Sequence, residues 1–428
     1  MKNNRNEDLY TEFLMSLPSF SKDMGLEGIR TLLNELGNFH HKLRVIHIAG
    51  TNGKGSSATM LSSIYSNAGY SVGTFISPYF SDIRECILIN TTMIPIELMN
   101  DATFQVKEAY HTLTAQRLPL PTHYECITVV ALLSMHLSSV EICIIETLMG
   151  GRNDATNIFS SPMATLITAI SLDHTEYLGD TIDSIAQHKA GIIKEHCPIV
   201  INKNSDSVLA IIQSEAQTKH ANITYSWNTQ NQATQDYASF LALKGTHQYE
   251  NLLGVLCVID ILKNILPVDS FAVTLGLKSV LHPCRIEHLT YSHLPFILDG
   301  SHNVQGIEAL VSYIKCNYSD TYITLIFGVL KDKDWKQITH LIYPIAQHVI
   351  LINPQNPRAL DSITFFDSLT SEDQSKSILA KTMEDALSLA IQYAQKDANI
   401  NKAQAKPSLI IACGSFSISF PIRNLISQ

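Results

Sequence analysis

Short, nearly continuous apolar runs alternate with helical patterns along the whole chain, and no other feature restricts its fold as strongly. The runs fall at 45–49, 71–76, 141–146, 164–170 and 198–202, then at 296–298, 322–327, 348–352 and 408–412. Apolar on both faces, they read as parallel strands buried on both sides. Apolar positions at helical spacing lie between them, at 57–67, 182–194, 306–315 and 383–396. Strand–helix alternation of this kind implies an α/β architecture with open, mostly parallel sheets. Two places break the rhythm. Residues 218–235 are rich in Gln, Asn and Thr and read as surface loops or edge strands. His282-Pro283-Cys284-Arg285 follows a helical stretch and precedes a new series of strands, which puts a domain boundary there. The expected domains are 1–285 and 286–428, within the two or three that 428 residues allow.

Composition excludes several classes. Hydrophobic residues make up 45% and charged residues 16%, enough for sizeable cores and far from a disordered chain. A formal charge of −9 with no basic run argues against a nucleic-acid partner. The start, MKNNRNEDLY, is too polar for a signal-peptide core. The longest apolar stretch, 252–266, is broken by Asp260 and Lys263 and cannot span a bilayer. The eight cysteines occur without a C-x-x-C pair, the usage of a reducing compartment. A soluble, cytoplasmic protein is expected.

The sharpest local signal is Val45–Ser57, VIHIAGTNGKGSS: a strand, a Gly-rich turn, then a helix. Gly50, Gly53 and Gly55 let backbone N–H groups crowd round phosphate oxygens. Lys54 adds a positive charge for the β- and γ-phosphates, and Ser56 or Ser57 opens the helix, whose N-terminal dipole also favours an anion. The spacing is a variant of the phosphate-loop pattern, so ATP or GTP binding is expected. Phosphoryl transfer calls for Mg²⁺, and the C-terminal ends of parallel strands are where its oxygen ligands belong. Ser77, Glu146 and the pair Asp173-His174 stand at such ends. Each also has a plain reading, as a strand-ending turn, a solvated terminus or a capping histidine. Arg152, Asp154 and Asn157 follow a double Gly after Glu146, either as a substrate loop or as a capped helix start. Lys189, within a helical pattern, reads on its own as a surface charge.

Together these segments resemble the folylpolyglutamate synthase/dihydrofolate synthase family, a branch of the Mur-type amide ligases. The resemblance runs through HIAGTNGKGS, FISPYFSDIRECILIN, PTHYECITVVAL, ETLMGGRNDATN and ITAISLDHTEYLGDTIDSIAQHKAGIIK, and on through GTHQYEN, HPCRIE, FILDGSHN and IIACGSFSIS. It implies an N-terminal phosphate-loop ATPase domain and a smaller, Rossmann-like C-terminal domain closing over the site. The implied reaction joins L-glutamate to a pterin-linked carboxylate, with ATP going to ADP and phosphate through an acyl phosphate. The implied acceptors are dihydropteroate, the glutamate tail of reduced folates, or both, and a monomer is expected. By resemblance Thr51, Asn52, Gly53, Lys54, Gly55, Ser56, Asn251, Arg285, Asp299 and His302 serve the nucleotide. Ser77, Glu146 and His174 are implied magnesium ligands, and Lys189 an implied carbamate carrier, with Lys54, Lys189 and His174 as the catalytic set. Thr122, Tyr124, Arg152 and Asp154 fall on the substrate side, and Gly414-Ser415 near the C-terminal face.

The chain departs from the family pattern at Cys86, where an arginine is usual, although Arg84 lies two residues before it, and at Cys284, which replaces the Gly of P-G-R. Other readings are a Mur-type ligase for a cell-wall nucleotide, a phosphate-loop kinase or ATPase without ligation, and a weakened nucleotide-binding protein.

Overall fold

The computed structural model describes residues 8–18, 25–400 and 406–427, so the N-terminal residues 1–7 lie outside the described residues. The chain divides into two compact units, with divisions at 242/243, 248/249 and 280/281, so that the second unit also takes in 243–248.

Among the described residues, the first unit is built on eight strands. They are β1 (Val45–Ala49), β2 (Val72–Phe75), β3 (Ile87–Ile89), β4 (Thr92–Met93), β5 (Ile142–Glu146), β6 (Ala164–Ile167), β7 (Ile199–Ile201) and β8 (Ile223–Tyr225). Their order is β4-β3-β2-β5-β1-β6-β7-β8. From β2 to β8 the neighbours run parallel, and β3 and β4 add an antiparallel edge. Every residue of β1, β2, β5, β6 and β7 is buried, as their unbroken apolar runs require. The strand order reverses about β1, which pairs β5 on one side and β6 on the other. The loops after β1, β5 and β6 therefore meet at one sheet edge, where open α/β sheets place ligands.

The second unit carries six strands: β9 (Glu287–Tyr291), β10 (Leu294–Leu298), β11 (Tyr322–Phe327), β12 (His348–Leu351), β13 (Ser377–Leu379) and β14 (Ser408–Cys413). They lie in the order β13-β12-β11-β14-β10-β9, all parallel except the hairpin β9–β10. Two apolar clusters pack there, one including Ile307, Leu310, Phe327 and Phe365, the other Phe296, Ile326, Ala386 and Ile418. Both units thus have the mostly parallel α/β architecture expected from the alternation.

Several boundaries differ, for physical reasons. The helix expected from 57 begins at Lys54, because Gly53 takes φ +90 and turns the chain three residues sooner. The strand expected to reach 170 ends at Ile167. Beyond it the Ala169 carbonyl turns to accept the N–H groups of Thr51 and Asn52. The helix from Ile182 stops at Ala190, where Gly191 lies against Arg152 so closely that a Cβ would meet its backbone. Residues 218–235 hold the edge strand β8, a 3-10 turn and the start of the helix Gln232–Ser239. No helix among the described residues is long and apolar enough to cross a membrane.

The helix Lys54–Asn67 is covered by the helix Ser270–Ser279 at unusually close range. Gly276 makes this possible: a Cβ there would lie 2.5 Å from the Ile64 Cα. Ser63 Oγ donates to the Gly276 carbonyl at 2.8 Å and seals the contact. Gly276→Ala forces the helices apart, and we expect a loss of about 1–3 kcal/mol of stability in urea unfolding. Weaker nucleotide binding should accompany it, because the displaced helix carries the phosphate loop at its N-terminus.

Candidate active site

The loop after β1 is shaped by its glycines and by what lies behind them. A side chain at Gly50 would strike Thr168, and one at Gly53 (φ +90) would strike Asn251, which packs on the loop from the helix His247–Leu262. Thr51 and Asn52 donate their N–H groups to the Ala169 carbonyl at 2.8 and 3.2 Å, which ties the loop to the end of β6. Thr51 Oγ1 donates to the Ser171 carbonyl at 3.0 Å and tightens the same seam. Lys54 Nζ donates to the Thr51 carbonyl at 3.2 Å and stands 3.7 Å from Glu146 Oε1. Ser56 and Ser57 are buried in the first turn of the helix.

Glu146 ends β5 with its carboxylate buried, and accepts the Ser77 N–H at 3.2 Å. Ser77, which follows β2, and Glu146, which ends the neighbouring strand, are thereby brought together. Beyond β6, Asp173 is buried and His174 half-buried, with their side chains 4.0 Å apart. His174 sits at φ +51 and opens the short helix Thr175–Leu178.

Lys189 is not a surface charge. It is 4% exposed, and its Nζ donates to the Gly50 carbonyl at 2.6 Å. Burial, assisted by Lys54, lowers its pKa to about 7, against the opposing pull of Asp173, Asp154 and Glu146. Two lysines and three carboxylates thus share one charge group beneath the loop. The signal was present in the helix itself: Ile185, Ala186, Lys189 and Ala190 form its buried stripe, so the lysine occupies a core position.

Asp154 is buried and fully engaged rather than capping a helix. Its Oδ2 accepts the Met149 N–H at 2.8 Å, and its Oδ1 accepts the Thr156 N–H at 3.0 Å and the Thr156 hydroxyl at 2.6 Å. Burial raises its pKa, and these hydrogen bonds work against the rise. Since the Thr156 hydroxyl proton is committed to Asp154, its oxygen accepts from His47 Nε2, 2.8 Å away. His47, in the middle of β1, is wholly buried, and its Nδ1 has no hydrogen-bond partner among the described residues. Burial, with a smaller push from Lys194, brings its pKa down to about 3. Sequence reasoning missed His47 and Thr156; a histidine inside an otherwise apolar strand was the available sign.

The remaining substrate-side candidates are spread out. Thr122 closes a capping box with Glu125 at the start of the helix His123–Leu137, so its hydroxyl is occupied in holding that helix. Tyr124 stacks on Phe75, with ring centroids 6.1 Å apart, and its hydroxyl is buried. Burial first, then Asp154, Cys86 and Glu146, raise the tyrosine pKa. Arg152 is exposed and pairs with Glu215 at 3.0 Å, apart from that group. Cys86 is buried, and Arg84 instead clamps Asp82 at 2.6 Å.

In the second unit, Asp299 directly follows β10 and accepts the N–H groups of Ile286 and Ser301, both at 2.8 Å. The Arg285 guanidinium lies 4.6 Å over the Phe416 ring, and His302 approaches the same ring at 6.1 Å. Phe416, just past Gly414-Ser415, is a further residue that sequence reasoning did not single out.

Comparison with known proteins bears on the family and the fold. The Mur ligase middle domain matches residues 48–259, and the Mur ligase glutamate ligase domain matches 284–416. The dihydrofolate synthase/folylpolyglutamate synthase of Bacillus subtilis is 34% identical over 84% of this chain and 87% of its own. The dihydrofolate synthetase of Saccharomyces cerevisiae is 30% identical over 92% of this chain and 95% of its own. The structure of Mycobacterium tuberculosis folylpolyglutamate synthase with ADP and AMPPCP superposes with a TM-score of 0.88 at 25% identity, covering 99% of this chain and 98% of that one.

The His47–Thr156–Asp154 chain has a direct test. Thr156→Val strands two buried polar groups and should cost about 1–3 kcal/mol, whereas Thr156→Ser should stay near wild type in denaturant unfolding. The folded pKa of His47, about 3, lies below its ordinary 6.5. Its contribution is therefore intact above about pH 6.5 and erodes as pH falls towards 3. His47→Gln should flatten that acid limb of the stability curve.

Proposed function

The chain belongs to the Mur ligase family, in its folylpolyglutamate/dihydrofolate synthase branch, and we propose that it joins L-glutamate to dihydropteroate and to the glutamate tail of reduced folates. The reaction is ADP-forming: the acceptor carboxylate attacks the γ-phosphate of ATP to give an acyl phosphate, and the amine of glutamate then displaces phosphate. The observation that carries the reading is Lys189, buried against the Gly50 carbonyl of the phosphate loop beside Lys54, Glu146, Asp154 and Asp173. A kinase or simple ATPase needs Lys54 and an acidic metal ligand, but gives no reason for a second lysine under the loop.

In this reading Thr51 to Ser56 cradle the phosphates, with Asn251 holding the loop at Gly53. Within the second unit, the glutamate-ligase domain, the cluster of Arg285, Asp299 and His302 is assigned to nucleotide recognition on the resemblance alone. Lys54 follows the charge that develops on the transferred phosphoryl group. Tyr124, stacked on Phe75, lies on the pterin side in this reading. Asp154, held from both sides, presents a fixed carboxylate on the substrate loop. Thr122 acts by positioning the helix His123–Leu137.

The residues also fit a magnesium ion. Among the described residues no three His, Cys, Asp or Glu side chains form a metal cage. Mg²⁺ does not require one, because it keeps several waters and takes one or two carboxylates beside the substrate phosphates. Glu146, with Ser77 bonded to it and His174 beyond, would hold it. When bound, the ion neutralises charge on the phosphates.

Lys189 is suited to carry a carbamate. Near pH 7 a large share of its amine is unprotonated, so its lone pair can attack CO₂ and lose a proton to solvent. Carbamylation should therefore rise as pH increases through 7. With ¹³C-bicarbonate, NMR should show a carbamate carbon in wild type that is missing in Lys189→Arg.

Two assays test the reaction. Hydroxylamine added during turnover should trap a hydroxamate; its absence while ADP is released would remove the acyl phosphate. ADP release should depend on glutamate with dihydropteroate and with tetrahydrofolate, and turnover of neither would sink the acceptor assignment. Lys54→Ala should lose about 3–5 kcal/mol of transition-state stabilisation, read from kcat/KM.

A further inference from the structure

A cleft of about 380 Å³ in the first unit concentrates positive charge in a chain whose formal charge is −9. Arg30, Arg152, Lys194 and Lys219 line it, against only two carboxylates, Glu195 and Glu215. One pair is already closed within the cleft, which leaves three cations there without a carboxylate partner among the described residues. Glu215 pairs with Arg152 at 3.0 Å, and Glu195 stands 3.7 Å from His196. Among the described residues, Arg30, Lys194 and Lys219 make no ion pair. They come from separate parts of the chain: Arg30 from the helix Glu27–Glu35, Lys194 from the turn after Lys189, and Lys219 from the end of the helix Asp206–Thr218. Their convergence is therefore a product of the fold. Lys194 is half-buried, and burial, with Arg30, Lys219 and Arg152 around it, lowers its pKa to about 8. Cations gathered in this way repel one another, and an anion between them removes the penalty.

The walls are also fixed. Buried Asn157 donates through one Nδ2 to the Arg152 carbonyl at 2.9 Å and to the Gly191 carbonyl at 3.0 Å, so it pins together the two segments that carry Arg152 and Lys194. We propose that this cleft binds a small multivalent anion bearing two or more carboxylate or phosphate groups. A single negative charge leaves most of the cations unsatisfied. Two or three groups on one flexible ligand match their number, and arginine forks donate to carboxylate and phosphate oxygens alike. Such a ligand touches the loop two residues from Asp154 and the turn that follows Lys189. Oligomers of γ-linked glutamate and inorganic oligophosphates share this chemistry. The inference stands on charge and shape alone and does not rest on the ligase reading.

The test is calorimetric titration of the full-length protein, with its phosphate loop saturated by AMPPCP. The probes are tri-γ-L-glutamate and tripolyphosphate. We expect saturable binding that weakens between about 0.05 and 0.2 M salt, since screening reaches an open cleft. Lys194→Met/Lys219→Met should bind at least tenfold more weakly, with AMPPCP affinity and Tm unchanged. If that double variant does not fold, the exposed Arg30→Gln should show the same loss in smaller degree. Binding of the tripeptide alone marks an oligocarboxylate site, and binding of both probes a general polyanion site; either supports the proposal. No saturable binding, or equal affinity in wild type and variants, overturns it.

Discussion

A buried lysine nitrogen donating to a backbone carbonyl organises the first unit. Lys189 reaches the Gly50 carbonyl from a helix that is otherwise apolar on its inner face. In a medium of low dielectric a lone cation there would be expensive, and so would Glu146, Asp154 and Asp173 without counter-charges. The five groups that include Lys54 make sense only together. The sheet order makes the assembly possible, because β1 lies between β5 and β6 and all three deliver their loops to one edge. Remove the lysine, and the loop carbonyl and three carboxylates lose their common partner.

The substrate loop is held from beneath by a different device. Asp154 has hydrogen bonds on both oxygens, and Thr156 relays its position to His47 inside the central strand. A neutral histidine is the suitable partner: it donates one hydrogen bond without adding charge to a crowded electrostatic group. The second unit uses the same economy at Asp299, whose two oxygens fix the backbone on either side of β10's end. In both places a buried carboxylate keeps a loop in shape, so burial alone does not distinguish a reacting group from a supporting one.

The α/β alternation was legible because parallel strands buried on both faces leave unbroken apolar runs, as in β1, β5 and β14. The hairpin β3–β4 and the edge strands β9 and β13 were not, since short edge strands are only half-buried and carry no such run. In the site, Lys54 and Glu146 could be placed by motif and strand end. Lys189 could not be read from pattern as long as a lysine was taken to face water, yet its neighbours Ile185 and Ala186 mark the inner face. Arg152 misled in the opposite sense: it sits in the middle of a polar substrate loop but turns to Glu215, because Gly191 packs against its stem. Direction along a loop is set by tertiary contact, which residue type does not reveal.

The contact at Gly276 bears on how the chain acquires its nucleotide loop. The helix that begins at Lys54 is sealed by a residue more than two hundred positions later, through Ser63 and Ile64. Loop closure over such a separation is slow compared with local helix formation. During synthesis the phosphate loop therefore exists for most of the first unit's elongation with one flank of its helix uncovered. It gains its final rigidity only when the segment 270–279 has emerged and docked. The nucleotide loop is thus completed late, when the segment that seals its helix is in place.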